Sequence, residues 1–309
     1  MGGDSMDMAD RERIGFVGVG LMGHGMAANI LDGGYELSIL GHRNREKVVD
    51  LVGRGATEVA DLKALGEAAS IVFLCLPGSP QVEAAVAGLM QGLAPGSVIV
   101  DCSTSDPVST AALAEKLEAA GLHLVDAPLG GTPVQAAAGE LSAMIGARPE
   151  ILDRVRPVIA CWAGPITHIG GPGDGHRMKL INNFLSLGYA ALYSEALTLG
   201  SAVGLTPKVV DSVLRGSRMD CGFYQTFMGY IIEGNWRAHE FTITNGLKDL
   251  TYLESMADSA GVANPIGNAA KNSFAMARAM GGDGPEDFIP HMVRFVAARN
   301  GMKLEPDPD

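Results

Sequence analysis

Cysteine is scarce in this chain of 309 residues, and the few cysteines that occur are not spaced for metal binding. Cys75, Cys102, Cys161 and Cys221 form no Cys-x-x-Cys pair, and no two histidines are spaced as His-x-x-x-His. The sequence therefore predicts no bound metal and no disulfide scaffold. This cysteine usage fits a reducing cytoplasm, which is the location that we expect.

Long apolar runs and basic stripes are also missing. No apolar run reaches the roughly 18 residues that a membrane helix requires. The formal net charge is −12, and lysine and arginine are not clustered, so neither nucleic acid nor an anionic membrane is an expected partner. The chain also has no Gly-x-Ser-x-Gly nucleophile elbow and no phosphate loop ending in Gly-Lys-Ser/Thr.

A glycine motif follows the first apolar run of the chain. Residues 14–19 are apolar and rich in β-branched side chains, which predicts a buried strand, and a helical pattern follows from Met26 to Gly33. The first glycine of Gly-x-Gly-x-x-Gly makes a tight turn, the second admits a pyrophosphate, and the third lets helix and strand pack closely. We therefore expect a dinucleotide to bind at Gly18, Gly20, Leu21, Met22 and Gly23. The alternative is a glycine-rich turn without a ligand.

The second predicted strand, residues 36–40, ends without the acidic residue that would bind the ribose hydroxyls of NAD. The chain reads His42, Arg43, Asn44 and Arg45 instead. Cationic side chains suit the 2′-phosphate of NADP, so the sequence favours NADP, with NAD as the alternative. The alternative is that Arg43 and Arg45 are solvated residues at the start of a helix.

Further strands at residues 71–76, 97–101 and 122–126 alternate with helices at about 81–90 and 106–120. This alternation predicts an α/β fold with a doubly wound, mostly parallel Rossmann sheet, in which ligands bind beyond the carboxyl ends of the strands. Leu76, Pro77 and Thr104 are therefore expected at the edge of the cofactor. Thr104 could instead cap the helix that begins near Asp106. Residues 141–145 and 167–169 are candidate edge strands.

Strand patterns nearly vanish after Gly175. We expect helices at about 176–203, 207–216, 226–232, 246–260 and 265–280. The prediction is thus a dinucleotide-binding domain over residues 12–172 and an all-helical domain over 173–302, joined by the long helix 176–203. Residues 1–11 are expected to be a disordered tail or tag, and residues 303–309 a disordered tail.

Lys179 follows a loop with four glycines and a proline, in the first turns of the predicted long helix. Asn182 and Asn183 come three and four residues later, so both lie on the same face as the lysine. A lysine and a carboxamide at a helix start are a candidate catalytic pair. The alternative is a surface lysine that packs its stem on apolar neighbours.

Four motifs in order resemble those of the β-hydroxyacid dehydrogenase family, which includes 3-hydroxyisobutyrate dehydrogenase and tartronate semialdehyde reductase. They are Gly18 to Gly23 with Met26 to Asn29; Asp126 to Thr132; Gly170, Gly173, Gly175, Lys179 and Asn183; and Lys248 to Leu250. The resemblance implies reversible hydride transfer between NAD(P) and a small β-hydroxyacid or semialdehyde, and a homodimer or homotetramer. It also implies Lys179 as the general acid and base, Asn183 as its orienting partner and Lys248 near the cofactor.

The substrate motif departs from the family pattern. Gly130 stands where the family has a serine, and Thr132 stands where it has a second glycine. Gly130, Gly131 and Thr132 are the residues expected to hold the substrate's anionic group, and Asn182 is also expected to bind substrate. A sulfolactaldehyde-reducing subgroup is similar here but has arginine in place of Gly131. Sulfolactaldehyde or succinic semialdehyde reduction, an imine reductase and a non-catalytic cofactor-binding module are the alternatives, and Lys179 counts against the last two.

Overall fold

A computed structural model describes residues 12–41 and 45–306 of the chain. The predicted tail at residues 1–11 and three of the proposed cofactor residues, His42, Arg43 and Asn44, lie outside the described residues. The chain divides into two compact units at Lys179 and Leu180. This division falls inside one continuous helix rather than in the loop before it, where the sequence pattern had predicted the boundary.

The described part of the first unit contains nine strands in a single sheet. Strands β1 to β6 are parallel in the order β3-β2-β1-β4-β5-β6. Strand β8 runs antiparallel to β6 and β7 and parallel to β9. The strands are β1 Ile14–Val17, β2 Leu37–Leu40, β3 Thr57–Val59, β4 Ile71–Leu74, β5 Val98–Asp101, β6 His123–Asp126, β7 Leu129–Gly130, β8 Leu141–Gly146 and β9 Ala163–Gly170.

Helices cover both faces of this sheet, as a doubly wound fold requires. On one face β1 buries Phe16 against Met26 and Val48, and on the other it buries Val17 against a separate group that includes Leu65 and Val86. The strand order reverses between β1 and β4, which is where such folds bind nucleotides. The helices are α1 Gly23–Asp32, α2 Arg45–Gly53, α3 Leu62–Ala68, α4 Ser79–Leu89, α5 Pro107–Ala119, α6 Pro133–Ala138 and α7 Pro149–Ile159.

The second unit is helical, and the long helix α8 leads the chain into it. Leu187, Ala190 and Leu197 of α8 are buried in an apolar core shared with Tyr224, Phe227 and other side chains of this unit. The helices are α8 Asp174–Ala202, α9 Pro207–Leu214, α10 Gly222–Glu233, α11 Ile243–Ala260, α12 Pro265–Ala279, a 3-10 turn at Ile289–His291 and α13 Met292–Arg299. The predicted class, a Rossmann domain followed by an all-helical domain, is confirmed.

Several elements, among them helices α3, α6, α7 and α13, and part of the tail differ from the sequence-based expectation. The sequence does not predict α7, which has Pro157 inside it, because proline is unfavourable in a helix interior. Its apolar side chains pack on the sheet and outweigh that cost. The sequence also does not predict α13. A disordered tail was expected from residue 303, but this expectation is wrong at Leu304, which is buried in the core of the second unit. Within residues 12–41 and 45–306, no helix is long and apolar enough to cross a membrane.

Candidate active site

The glycine loop between β1 and α1 has the three properties that its spacing predicts. Gly18 has a φ of +97°, and a Cβ there would lie under 3.0 Å from the carbonyl of Cys75. A Cβ on Gly23 would similarly collide with the Gly18 carbonyl and the Phe16 ring. A Cβ on Gly20, by contrast, would meet nothing within 4 Å. Gly18 and Gly23 therefore serve packing. Gly20 leaves open space in front of the backbone, which fits the pyrophosphate of a dinucleotide.

Lys47 on α2 adds positive charge to this loop. Its Nζ donates a hydrogen bond to the Gly20 carbonyl at 2.8 Å. Partial burial lowers the pKa of its ammonium group. The sequence-based prediction ended at Arg45 and missed Lys47, which is only two residues further along the chain. Its cationic side chain was the signal that could have identified it.

Arg45 is engaged by a carboxylate rather than by the glycine loop. Its Nη1 and Nη2 donate to Glu58 Oε1 and Oε2 at 2.6 and 2.9 Å. The hydrogen bonds raise the pKa of the guanidinium and lower that of the Glu58 carboxyl. The Nη1 and Nη2 donors of the guanidinium are therefore engaged within the protein, and a 2′-phosphate would have to compete with Glu58 for them.

The ends of β4 and β5 meet beside the glycine loop. The Leu76 side chain lies 3.2 Å from where a Gly18 Cβ would be, and the Leu76 N–H donates to Ser103 Oγ at 2.9 Å. The sequence left open whether Thr104 caps the following helix. Asp106 caps it instead, because its side chain accepts from the Val108 N–H.

The start of α8 is fastened to the sheet by a buried carboxylate. Asp126, at the end of β6, accepts hydrogen bonds from the N–H groups of Gly173 at 2.6 Å and His176 at 2.7 Å. A Cβ on Gly175 would lie under 3.0 Å from Asp126 and from the Met144 carbonyl. Burial raises the pKa of the Asp126 carboxyl, although His176 and the two N–H donors oppose that effect. The glycines of this loop thus let a strand end hold the first turn of the helix that carries Lys179.

His176 continues this buried network. Its Nε2 lies 3.0 Å from the Ser103 carbonyl, and its Nδ1 lies 2.8 Å from the Thr110 hydroxyl. The carboxylates of Asp101 and Asp126 lie 3.8 and 3.9 Å from the two ring nitrogens. Because the ring is completely buried, His176 ties the first turn of α8 to the ends of β5 and β6 and has no exposed face toward a ligand.

Lys179 is half-buried one turn further along α8 and belongs to the first unit. Asn183, in the second unit's part of α8, is buried, and its Nδ2 donates to Asp249 Oδ2 at 2.7 Å. Asn182 is exposed and donates to Asn183 Oδ1 at 3.3 Å. Lys248 lies 3.2 Å from the other oxygen of Asp249. The structure thus brings Asn183 and Lys248 to a common carboxylate, a link that the sequence reasoning missed because 66 residues separate Asn183 from Asp249.

The predicted substrate loop has its own internal hydrogen bonds. Thr132 caps α6 in a reciprocal capping box with Gln135. Its N–H donates to Gln135 Oε1 at 2.9 Å, and its hydroxyl lies 3.2 Å from the same oxygen. Gly131 has a φ of +125°, and Gly130 pairs across β7 and β8 with Ser142.

Among the described residues, no group of three or more His, Cys, Asp or Glu side chains is arranged to hold a metal ion.

Comparison with known families accounts for nearly the whole chain. Residues 13–170 match the model described as the NAD binding domain of 6-phosphogluconate dehydrogenase. Residues 173–294 match the model described as NAD-binding of NADP-dependent 3-hydroxyisobutyrate dehydrogenase. The two matches meet close to the start of α8.

Individual relatives agree with these models. The chain is 31% identical over 271 residues to 3-sulfolactaldehyde reductase of Escherichia coli (strain K12), covering 87% of this chain and 91% of that protein. It is 32% identical over 272 residues to a 3-hydroxyisobutyrate dehydrogenase of Pseudomonas aeruginosa, covering 85% and 91%. A solved structure of Mycobacterium tuberculosis 3-hydroxyisobutyrate dehydrogenase with L-serine superimposes with a TM-score of 0.80 at 24% identity, covering 92% of this chain and 99% of that one. This last likeness concerns the fold.

Proposed function

The chain belongs to the β-hydroxyacid dehydrogenase family and is an NAD(P)-dependent oxidoreductase acting on CH–OH groups, and from that premise we propose that Lys179 is its general acid and base. When bound, the nicotinamide supplies or accepts the hydride. Lys179 donates a proton to the carbonyl oxygen in reduction and takes the alcohol proton in oxidation. The observation that carries this proposal is the buried anchoring of the first turn of α8 by Asp126 and His176, which holds the helix bearing Lys179 rigidly.

Asn183 has the geometry of an orienting residue in this proposal. It follows Lys179 by four residues on the same helix, so the two side chains share a face. Its Nδ2 donates to Asp249 and its Oδ1 accepts from Asn182, so the carboxamide cannot rotate freely. The second lone pair of Oδ1 is available to orient the lysine or the reacting oxygen. Asp249 is thereby a positioning residue.

The test replaces Lys179 with methionine, which keeps most of the side-chain volume and removes the amine. General acid–base catalysis contributes about 10²- to 10⁴-fold, so kcat is expected to fall by that factor while NADPH binding persists. Lys63→Met is the matched control, since Lys63 is exposed on α3 beside Glu67. If the Lys179→Met variant kept near-normal turnover, the assignment would be wrong.

For the cofactor, we propose a preference for NADP. The absence of an acidic residue at the end of β2 supports it. Lys47, at the glycine loop, would serve the pyrophosphate that both cofactors share. The bidentate pair of Arg45 with Glu58 weakens the contribution of Arg45. Steady-state rates with NADH and NADPH test the proposal, and a clear preference for NADH would refute it.

For the substrate, we propose a small β-hydroxyacid or its semialdehyde, of the 3-hydroxyisobutyrate or tartronate semialdehyde type. The similarity to 3-sulfolactaldehyde reductase makes a sulfonated aldehyde the second candidate, while Gly131, which lacks the subgroup's arginine, counts against it. Three- and four-carbon hydroxyacids, semialdehydes and sulfolactaldehyde, assayed side by side, distinguish the two. A higher kcat/KM for sulfolactaldehyde than for every carboxylic acid would favour the second candidate.

We also propose that two copies of the chain associate through α8. Leu185, Leu192 and Leu199 recur every seven residues on one face of this helix and are 53%, 57% and 67% exposed. A two-fold dimer places identical patches against each other, so one apolar face can cover its own copy. Leu192→Glu is expected to shift the mass measured by light scattering to that of a monomer. Val49→Glu, at an exposed site on α2, is the control, and a monomeric unaltered protein would contradict the proposal.

A further inference from the structure

The space above Gly130 is filled by a side chain from another strand. Gly130 and Ser142 are directly opposite each other in the antiparallel pair of β7 and β8. Ser142 Oγ lies under 3.0 Å from the point where a Cβ on residue 130 would be. The hydroxyl therefore occupies the volume that a side chain at position 130 would take, and it reaches that volume from across the sheet.

Thr132, the other hydroxyl of this loop, is committed elsewhere. Its Oγ1 accepts from the Gln135 N–H, and both its own N–H and its hydroxyl are directed at Gln135 Oε1. Turning the hydroxyl toward a ligand would open the capping box and leave the first turn of α6 with fewer partners.

Ser142 is less constrained. Its hydroxyl donates to the Gly130 carbonyl at 3.3 Å, which is longer than the 2.5–3.0 Å of a good O–H···O hydrogen bond. The hydroxyl can therefore turn toward a stronger acceptor at little cost, because an anionic acceptor forms a shorter and stronger bond than a distant carbonyl.

Ser142 also lies on the face of β8 that is turned away from the buried core, and β8 itself contacts the start of α8. Side chains alternate along a strand, and Leu141, Ala143 and Ile145 are fully buried in the core. Ser142 and Met144 are half-buried on the other side. The Met144 carbonyl is one of the atoms that leave no room for a Cβ on Gly175 at the start of α8.

We propose that Ser142 is a substrate-specificity residue whose hydroxyl donates a hydrogen bond to the anionic group of the substrate. The Gly131 N–H is the second donor at this position. Ser142 thereby takes the role that the sequence assigned to Thr132. This inference rests on the proposed function, because it assigns one contact to the substrate of that same site.

The test moves the hydroxyl from one strand to the other. It uses the most active acid of the three- and four-carbon screen and the methyl ester of that acid, which lacks the anionic group. Ser142→Ala is expected to lower kcat/KM for the acid about 10- to 100-fold, mainly through KM, because a hydrogen bond to a charged group is lost. The rate with the ester should stay within about twofold, since a neutral ester oxygen is the weaker acceptor.

The double variant Gly130→Ser with Ser142→Ala is the decisive control. Ser142 Cβ lies 3.9 Å from the ideal Cβ of residue 130, an ordinary contact, so a serine at 130 fits once the Ser142 hydroxyl is gone. This variant is expected to recover the rate for the acid to within a few-fold. The thermal unfolding midpoint and NADPH affinity of each variant show whether the fold is intact.

The outcomes separate the two proposals. No turnover of any acid by the unaltered protein, with NADPH bound, overturns the proposed function and this assignment with it. Turnover that Ser142→Ala leaves unchanged, an equal loss for acid and ester, or a double variant that folds and binds NADPH but does not recover, overturns the assignment of Ser142 alone.

Discussion

Replacing Gly20 with alanine separates cofactor binding from folding. An added Cβ would meet no atom within 4 Å, and Gly20 is not among the glycines with positive φ. Alanine is therefore tolerated by the folded chain and restricts the unfolded one. We expect the free energy of unfolding to stay the same or rise by about 0.4–1 kcal/mol.

The same methyl group would stand in the space through which a pyrophosphate approaches the loop. We expect the Kd for NADPH to increase at least tenfold, which corresponds to about 1.4 kcal/mol of binding free energy. Denaturant unfolding measures the first quantity, and titration calorimetry with NADPH measures the second. The prediction is thus a variant that is as stable as the parent and binds its cofactor poorly.

Two glycine variants serve as controls. Gly53 at the end of α2 is equally open, so Gly53→Ala should match the stability effect and leave the Kd unchanged. Gly23→Ala should destabilise the fold by about 1–3 kcal/mol, because its Cβ would be overpacked against Gly18 and Phe16. A Gly20→Ala variant with normal NADPH affinity would show that the pyrophosphate does not lie against this residue.

Three further predictions concern pH, the start of α8 and the cofactor. Burial lowers the pKa of His291, so on acidification the unfolded chain binds this proton before the folded chain does. The free energy of unfolding should therefore fall as the pH drops below about 6.5. His291→Gln should flatten that pH dependence in denaturant titrations, and an unchanged slope would contradict the assignment. Gly175→Ala forces a Cβ onto Asp126, so the free energy of unfolding should fall by about 1–3 kcal/mol, as denaturant unfolding would show. In steady-state assays kcat should fall at least tenfold, and normal kinetics would argue against a rigid start of α8. Glu58→Gln weakens the hold on Arg45, and calorimetry should show tighter NADPH binding with NADH unchanged, whereas equal changes for both would exclude a role for Arg45 at the 2′-phosphate.

Local patterns were sufficient for most of the fold. The Rossmann sheet and the helical second unit follow from apolar periodicity and glycine positions, which act over a few residues. The long helix predicted at 176–203 is observed at Asp174–Ala202. The pattern failed at α7, where the interior Pro157 hides a helix that tertiary packing stabilises.

Within the site, the sequence by itself determined the features built from neighbouring residues. The turn at Gly18, the open backbone at Gly20 and the shared face of Lys179 and Asn183 follow from spacing of six residues or fewer, because one turn or one helix fixes them.

Only the tertiary structure decided how distant residues complete these local features. Asp126 reaches Gly173 and His176 from the end of β6, and Asp249 holds Asn183 from α11. Strand register places the Ser142 hydroxyl beside Gly130, whereas the motif in the sequence had suggested Thr132. The physical reason is that a side chain's partner across a sheet or between helices is set by packing and register, which no short stretch of sequence contains.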